Sequence, residues 1–395
     1  MNEKVQTKNR AYLIEFIMFF TYAFFAVNWI AGSTLTPAIM KYFNLKSFAS
    51  ATLISNAITA AKIIGNFLAA WILNKLLPKK AIGLASLLVV MGSVLAILAP
   101  FYSLFIIGRF IMGFGGALYV VYFSPMVVHY FTPDRRPLIS SFNAVAYNFG
   151  SIIAMLLIAP VVEMMVTWQG SMGVFAAISL VLFILWLFFG QDFPLGQDKG
   201  KGGSMIEGLK VPFNWIFPAT YSGVLTLYIV ILTIFPQAKI TKVDTKLLSA
   251  LMAVGGIIGS VLAIMLNRNY KKRIPPIRWC GLALTLIAFT MFTVNIPVVS
   301  YASALLTGII MFLPMTSLVL IPIELEGMTP GKITTTMGLF WGISYVIETI
   351  VYAILGIVID HYGFSVALIA AAIFSLTFFL GSFVLPEPYK EKREK

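Results

Sequence analysis

Apolar segments of about 20 residues recur along the whole chain, and each is long enough to cross a hydrocarbon core of roughly 30 Å as a helix. The 395-residue sequence is 59% hydrophobic and only 11% charged, which is more apolar than a soluble domain can bury. We therefore predict an all-α membrane protein with twelve transmembrane helices. The approximate predicted spans are 12–36, 49–73, 81–100, 103–131, 137–162, 168–190, 212–237, 247–267, 278–296, 299–322, 333–358 and 363–385.

The Lys and Arg residues lie mainly on one side of these segments. If the amino terminus is inside, the inner segments hold 21 of the 28 Lys and Arg. The outer segments hold five: Lys41, Lys46, Lys239, Lys242 and Lys246. Because basic residues concentrate on the cytoplasmic side of membrane proteins, this distribution predicts that both termini are cytoplasmic. The net charge of +13 is thus a topology signal, and we predict no nucleic-acid partner.

A polar stretch rich in Gly divides the segments into six and six. We predict an amino-terminal six-helix bundle over 1–190, a cytoplasmic linker over 191–211 and a carboxy-terminal bundle with a short tail over 212–395. The stretches AWILNKLLPKK (70–80) and AIMLNRNYKKR (263–273) match in residue type, which indicates a duplicated six-helix unit. Two pseudo-symmetric bundles are typical of alternating-access transport around a central cavity.

The stretch GRFIMGFGG (108–116) resembles the fourth-helix pattern of the major facilitator superfamily, in which closely spaced glycines follow an arginine. The NKLLPKK and NRNYKK stretches resemble that family's loop between helices 2 and 3 and its repeat, although Asn74 and Asn267 replace the usual aspartate. This replacement questions a charge relay at the loop. The residues entering predicted helices 5 and 11 resemble bacterial cyanate, nitrate and other small-solute permeases. The resemblance implies the major facilitator fold and a transport function.

Lys62 and Arg109 are the two basic residues that belong to neither the inner nor the outer segments. Lys62 lies 12 residues from both Ser50 and Asn74, so roughly 18 Å of helix separates it from either end. A basic side chain at that depth costs on the order of 3 kcal/mol and should face a cavity or a partner.

The neighbours of Lys62 follow a helical period. Polar residues recur at spacings of three and four along one stripe, whereas Leu53, Ile64 and Leu68 lie on the opposite face. This stripe predicts a cavity-facing surface, although helix packing through small polar groups is the alternative. It comprises Thr52, Ser55, Thr59, Lys62 and Asn66.

Two further sets of residues complete the predicted site. Arg109 could bind a planar anion through two hydrogen bonds, whereas the family resemblance implies that it could also be structural or modulate a carboxylate. Glu348 lies in an aromatic stripe with Trp341, Tyr345 and Tyr352, and we predict that it couples transport to protons; a permanent ion pair is the alternative. We predict substrate contacts from Lys62, Arg109, Thr59, Asn66, Asn28, Asn143, Tyr147, Trp341 and Tyr345.

Other chemistries find no support in the sequence. No glycine-rich phosphate loop precedes a Lys-Ser or Lys-Thr pair, no Cys or His cluster resembles a metal site, and nothing resembles a nucleophile with its base. We predict no enzyme activity, no cofactor and no metal.

The sequence thus predicts a monomeric secondary active transporter of the bacterial inner membrane that carries a small organic or inorganic anion, coupled to protons. A proton-driven multidrug exporter, an amino acid or nucleoside permease and a transporter-like sensor are the alternatives. The pattern in predicted helix 5, with one Gly and a late Pro, and the lack of an acidic residue deeper in helix 1 than Glu15 argue against the exporter.

Overall fold

The computed structural model describes residues 2–132, 135, 139, 142–143, 145–192, 205–328 and 330–389. Within these ranges twelve helices are long and apolar enough to cross a membrane, which confirms the predicted number. They are α1 (Asn2–Thr34), α2 (Leu53–Leu76), α3 (Pro78–Leu98), α4 (Tyr102–Tyr130), α5 (Ala146–Met165), α6 (Trp168–Phe189), α7 (Phe213–Thr233), α8 (Thr245–Asn269), α9 (Ile274–Thr293), α10 (Pro297–Phe312 and Met315–Glu324), α11 (Pro330–Tyr362) and α12 (Phe364–Phe374 and Leu376–Gly381).

The helices divide into two compact units, 1–197 with α1–α6 and 198–395 with α7–α12. The predicted linker contributes a short helix, Met205–Leu209, before α7. Its residues 193–204 lie outside the described ranges.

Several helix boundaries differ from the predicted ones for local reasons. Thr52 separates α2 from a single turn, Phe48–Ala51, which is capped by a hydrogen bond from the Ser50 amide to the Ser47 hydroxyl. Pro314 interrupts α10, because a proline cannot continue the backbone ladder of the preceding turn. The predicted start of the fifth helix near residue 137 falls largely on residues outside the described ranges, and α5 is described from Ala146.

The two matching sequence stretches occupy corresponding places within their units. The first spans the end of α2, where Leu77 has a φ of 65° and Pro78 begins α3. The second spans the end of α8 and the short connection to α9. Each stretch therefore forms the turn between the second and third helices of its unit.

The glycine-rich segment of α4 lets three helices approach its backbone closely. A methyl group on Gly113 would lie 2.7 Å from the Ile58 Cα of α2, and one on Gly116 would overlap the Phe25 ring of α1. Gly115 faces Ala85 and Val89 of α3 in the same way. The spacing of these glycines thus reflects α4 packing directly against α1, α2 and α3.

Replacing Gly113 by alanine should destabilise the protein by about 1–3 kcal/mol, because the new methyl group meets the backbone of α2 rather than a movable side chain. Gly173→Ala in α6 is the matched control, since its new methyl group would have no heavy atom within 4 Å. Thermal unfolding in detergent should show a lower Tm for Gly113→Ala and an unchanged or slightly higher Tm for Gly173→Ala. Equal Tm values would contradict this packing.

Candidate functional site

Lys62 lies within α2 on a buried face. Thr59 and Lys62 have exposed fractions of 0% and 5%, whereas Ile64 and Leu68 are 46% and 40% exposed. The polar stripe therefore faces the interior and the apolar side faces outward, as the periodicity of the sequence indicates. Asn66, one turn beyond Lys62, is half-buried.

Three aromatic rings surround the Lys62 ammonium group. Its Nζ lies 4.5 Å from the centroid of the Trp29 ring, 5.4 Å from that of Tyr147 and 5.7 Å from that of Phe25. Trp29 and Phe25 belong to α1, and Tyr147 belongs to α5. An ammonium within about 6 Å of a ring face is attracted by the electron-rich face of the ring. We call Phe25, Trp29 and Tyr147 the aromatic cage.

Each ring of the aromatic cage has contacts of its own. The Trp29 indole N–H donates a hydrogen bond of 3.0 Å to the Ser55 hydroxyl of α2. The edge of the Trp29 ring meets the Tyr147 ring at a centroid distance of 5.5 Å. The Phe25 ring lies against Gly116 of α4. These contacts fix the rings independently of the lysine.

Arg109 is fully buried and holds backbone carbonyls of two helices. Its Nε donates to the Ile54 carbonyl of α2 at 3.0 Å, and its Nη1 and Nη2 donate to the Asn28 and Trp29 carbonyls of α1 at 2.9 Å each. Gly32 makes room for the guanidinium, because a methyl group there would lie 2.5 Å from Nη1. Through these hydrogen bonds Arg109 joins α1 to α2, and its direct contact with substrate stays a prediction.

Asn28 and Thr59 also make contacts within the helix bundle. The Asn28 side-chain amide donates to the Ser179 hydroxyl of α6 at 3.1 Å, and the Thr59 hydroxyl donates to the Asn56 carbonyl. Both residues have an exposed fraction of 0%. Their predicted substrate contacts would therefore require a rearrangement of the packing described here.

Asn143 lies beside an acidic residue to which the sequence assigned no role. The Glu15 side chain of α1 is only 3% exposed, and the Asn143 amide lies against its carboxyl group. A carboxyl group buried this deeply is a candidate proton-binding group in a membrane protein. Glu15 lies near the start of the candidate membrane span 10–34, as the predicted span 12–36 also placed it.

In the second unit, Glu348 lies on the buried face of α11. Its exposed fraction is 0%, and the neighbouring Thr349 hydroxyl donates a long hydrogen bond of 3.4 Å to its Oε2. Tyr345 stacks on the half-buried Trp341 at a centroid distance of 6.3 Å. Trp341 in turn meets the edge of Tyr221 in α7 at 5.7 Å. Trp341 and Tyr345 of the predicted stripe therefore stack on each other, and Trp341 packs against α7.

The turn between α8 and α9 carries a polar cluster. Arg273 binds both carboxylate oxygens of Glu324 at 2.7 and 2.8 Å, and its Nη1 donates to the Asn267 side-chain oxygen at 2.9 Å. The hydrogen bonds from Arg273 to Glu324 raise the pKa of the guanidinium, so Arg273 remains charged. The Asn267 side-chain oxygen thus accepts a hydrogen bond from an arginine, at the position where the family loop that this stretch resembles usually has an aspartate. The Asn74 side chain of the first unit lies outside the described residues.

Sequence reasoning missed Trp29 and Phe25 as members of the site. Their spacing of four residues places both rings on one face of α1, which was a usable signal. Phe is so abundant in this chain, with 33 copies, that an aromatic pair in one helix does not stand out.

Two units of six membrane-crossing helices among the described residues, with Lys62 and Glu348 on buried faces, define a multi-pass membrane protein. The chain belongs to the Major Facilitator Superfamily, whose family model matches residues 16–347. The finding confirms the fold and the family that the α4 motif indicated.

The relatives of this chain include an uncharacterized protein of Campylobacter jejuni, 31% identical over 211 residues. That match covers 53% of this chain and 65% of the relative, so the chain spans slightly less than two thirds of the relative's length. A major facilitator superfamily transporter of Mycoplasma genitalium is 23% identical over 72% of this chain and 57% of its own.

The solved structures that resemble the chain share its fold at low sequence identity. A D-xylose–proton symporter superposes with a TM-score of 0.73 at 15% identity over 95% of this chain and 98% of its own. A bacterial homologue of the lysosomal transporter Spinster gives a TM-score of 0.74 at 12% identity over 95% and 97%.

Arg109→Lys should destabilise the first unit by at least about 2 kcal/mol, because a single ammonium group cannot reach three carbonyls on two helices as the guanidinium does. Arg135→Lys is the matched control, since Arg135 is exposed and bonds only to the Tyr12 hydroxyl among the described contacts. Thermal unfolding in detergent checks both variants. A Tm for Arg109→Lys equal to that of the control would refute the structural role.

Proposed function

We propose that this transporter carries a small anion, organic or inorganic, across the bacterial inner membrane by alternating access and couples its movement to protons. Lys62 attracts the anion, and Glu348 takes up and releases the proton. Both termini lie in the cytoplasm in this proposal. It rests on the charges buried in each unit and on the distribution of basic residues between the loops.

The position of Lys62 is the observation that carries the proposal. Its ammonium lies near the middle of α2, on the inward face, with 5% of the residue exposed. The aromatic cage lowers the cost of this charge but adds no negative charge of its own. An anion that bound beside Lys62 would contribute the attraction between full charges that the rings lack, in a medium where such attraction is strong.

Glu348 supports proton coupling through its burial. Its carboxyl group lies on the interior face of α11, with two aromatic residues on the preceding turns. A carboxyl group in a medium of low dielectric constant is stabilised in its neutral form, and water or a nearby cation stabilises its charged form. A group placed between these influences can exchange a proton when its surroundings change during transport.

Lys62→Gln should weaken anion binding about tenfold to 100-fold, because the charge-assisted contact is lost while most of the side-chain length is kept. A thermal-shift screen of organic acids, amino acids, nucleosides and drugs first identifies a ligand, since ligands stabilise the folded state they bind. Binding is then measured for Lys62→Gln and for Lys75→Gln. Lys75 is the matched control because it is exposed at the end of the same helix and also lies over a ring, that of Trp71. Unchanged binding by Lys62→Gln would exclude the proposed site.

Glu348→Gln should abolish accumulation driven by a pH gradient but retain exchange of labelled for unlabelled substrate, because the amide cannot take up a proton. Uptake into proteoliposomes with an alkaline lumen measures the first activity, and counterflow at equal pH measures the second. Glu163→Gln, at an exposed position near the end of α5, serves as the control. If Glu348→Gln accumulates substrate like the control, Glu348 is not the coupling group.

A proton-driven exporter is the second candidate, because Glu15 places a buried carboxyl group in α1. The sequence argument against an exporter was that α1 has no acidic residue deeper than Glu15, and the burial of Glu15 itself weakens that argument. A screen in which amphipathic cations stabilise the protein and anions do not would favour the exporter over the anion transporter.

A further inference from the structure

We propose that the aromatic cage is a cation-binding site whose occupant is the chain's own Lys62, and that a variant without this ammonium binds a small alkylammonium ion from solution in its place. Three rings from two helices converge on one ammonium nitrogen at centroid distances of 4.5, 5.4 and 5.7 Å. Aromatic cages of this kind recognise ammonium and quaternary ammonium ligands by the attraction of the charge to the ring faces.

The cage is held by contacts that do not involve Lys62. The Trp29 indole is bound by the Ser55 hydroxyl, and its backbone carbonyl accepts from Arg109. The Phe25 ring rests on Gly116, and Tyr147 contacts the edge of Trp29. Removal of the lysine side chain therefore leaves a space bounded by rings that keep their positions.

The three cage residues differ in exposure. Phe25 and Trp29 are 0% and 1% exposed, whereas Tyr147 is half-buried. In this proposal an ion from solution enters on the Tyr147 side. Truncation of Lys62 to alanine keeps Cβ and removes the other three carbons of the stem together with the ammonium, which leaves space for a linear alkyl chain of similar length.

The inference goes beyond the proposed function, because it concerns the binding of a cation and does not depend on the transport of an anion. It implies that wild-type protein rejects small cations at this place, since the site is already filled. The lysine then acts as a tethered ion that is present at every stage of transport.

The test is the thermal stability of Lys62→Ala in detergent, titrated with n-butylammonium chloride. We expect a saturable rise in Tm for Lys62→Ala and none for the wild type. The neutral analogue n-butanol should give no saturable rise, and sodium chloride at the same ionic strength controls for salt. In the double variant Lys62→Ala, Trp29→Leu, the apparent affinity for n-butylammonium should fall at least about tenfold, because the nearest ring is lost.

A Tm that does not respond to n-butylammonium in Lys62→Ala would overturn the proposal. An equal response in the wild type, with n-butanol or in the double variant would also overturn it. If Lys62→Ala does not yield folded protein, Lys62→Met retains the stem, and methylammonium replaces n-butylammonium with the same expectations. Probe binding by Lys62→Ala together with normal transport by Lys62→Gln would support the cage and reject the proposed function. No probe binding by Lys62→Ala together with impaired transport by Lys62→Gln would reject the cage and support the proposed function.

Discussion

A lysine ammonium near the middle of a membrane helix needs stabilising groups around it, because at that depth a basic side chain costs on the order of 3 kcal/mol. In this protein three ring faces supply part of that stabilisation. The rings in turn depend on the packing of α1 against α2 and α4. Arg109 joins the backbones of α1 and α2, and it binds the carbonyl of Trp29, the residue whose ring lies nearest the ammonium. One buried cation therefore positions the surroundings of the other.

The fold could be predicted from the sequence because its signals are local. Twelve apolar segments of membrane length, and a period of three and four in α2, follow from hydropathy and helix geometry without any knowledge of tertiary contacts. The buried face of Lys62 and the outward face of Ile64 agree with that period. The glycines of α4 also carried a readable signal, because closely spaced small residues allow helices to approach.

The partners within the site could not be predicted in the same way. Arg109 binds main-chain carbonyls, and every residue has one, so no side-chain pattern marks them. The aromatic cage combines residues more than 100 positions apart, from Phe25 to Tyr147, and only the packing of α1 and α5 beside α2 brings them together. The replacement of an aspartate by Asn267 argued against a charge relay at this loop, and the sequence did not show that the Asn267 amide oxygen accepts a hydrogen bond from Arg273. An oxygen acceptor was needed there, and an amide supplies it without a charge.

The tethering of a positive charge to α2 also has an electrical consequence. A charge at mid-depth lies within the field of the membrane, where a full crossing by one elementary charge corresponds to about 2.3 kcal/mol per 100 mV. In the proposed function, the ammonium of Lys62 stays with the protein, so the unloaded carrier would hold this charge and a bound monovalent anion would cancel it. Voltage would then act on the return of the empty carrier more than on the loaded one, and a cell could set the rate of turnover through its membrane potential.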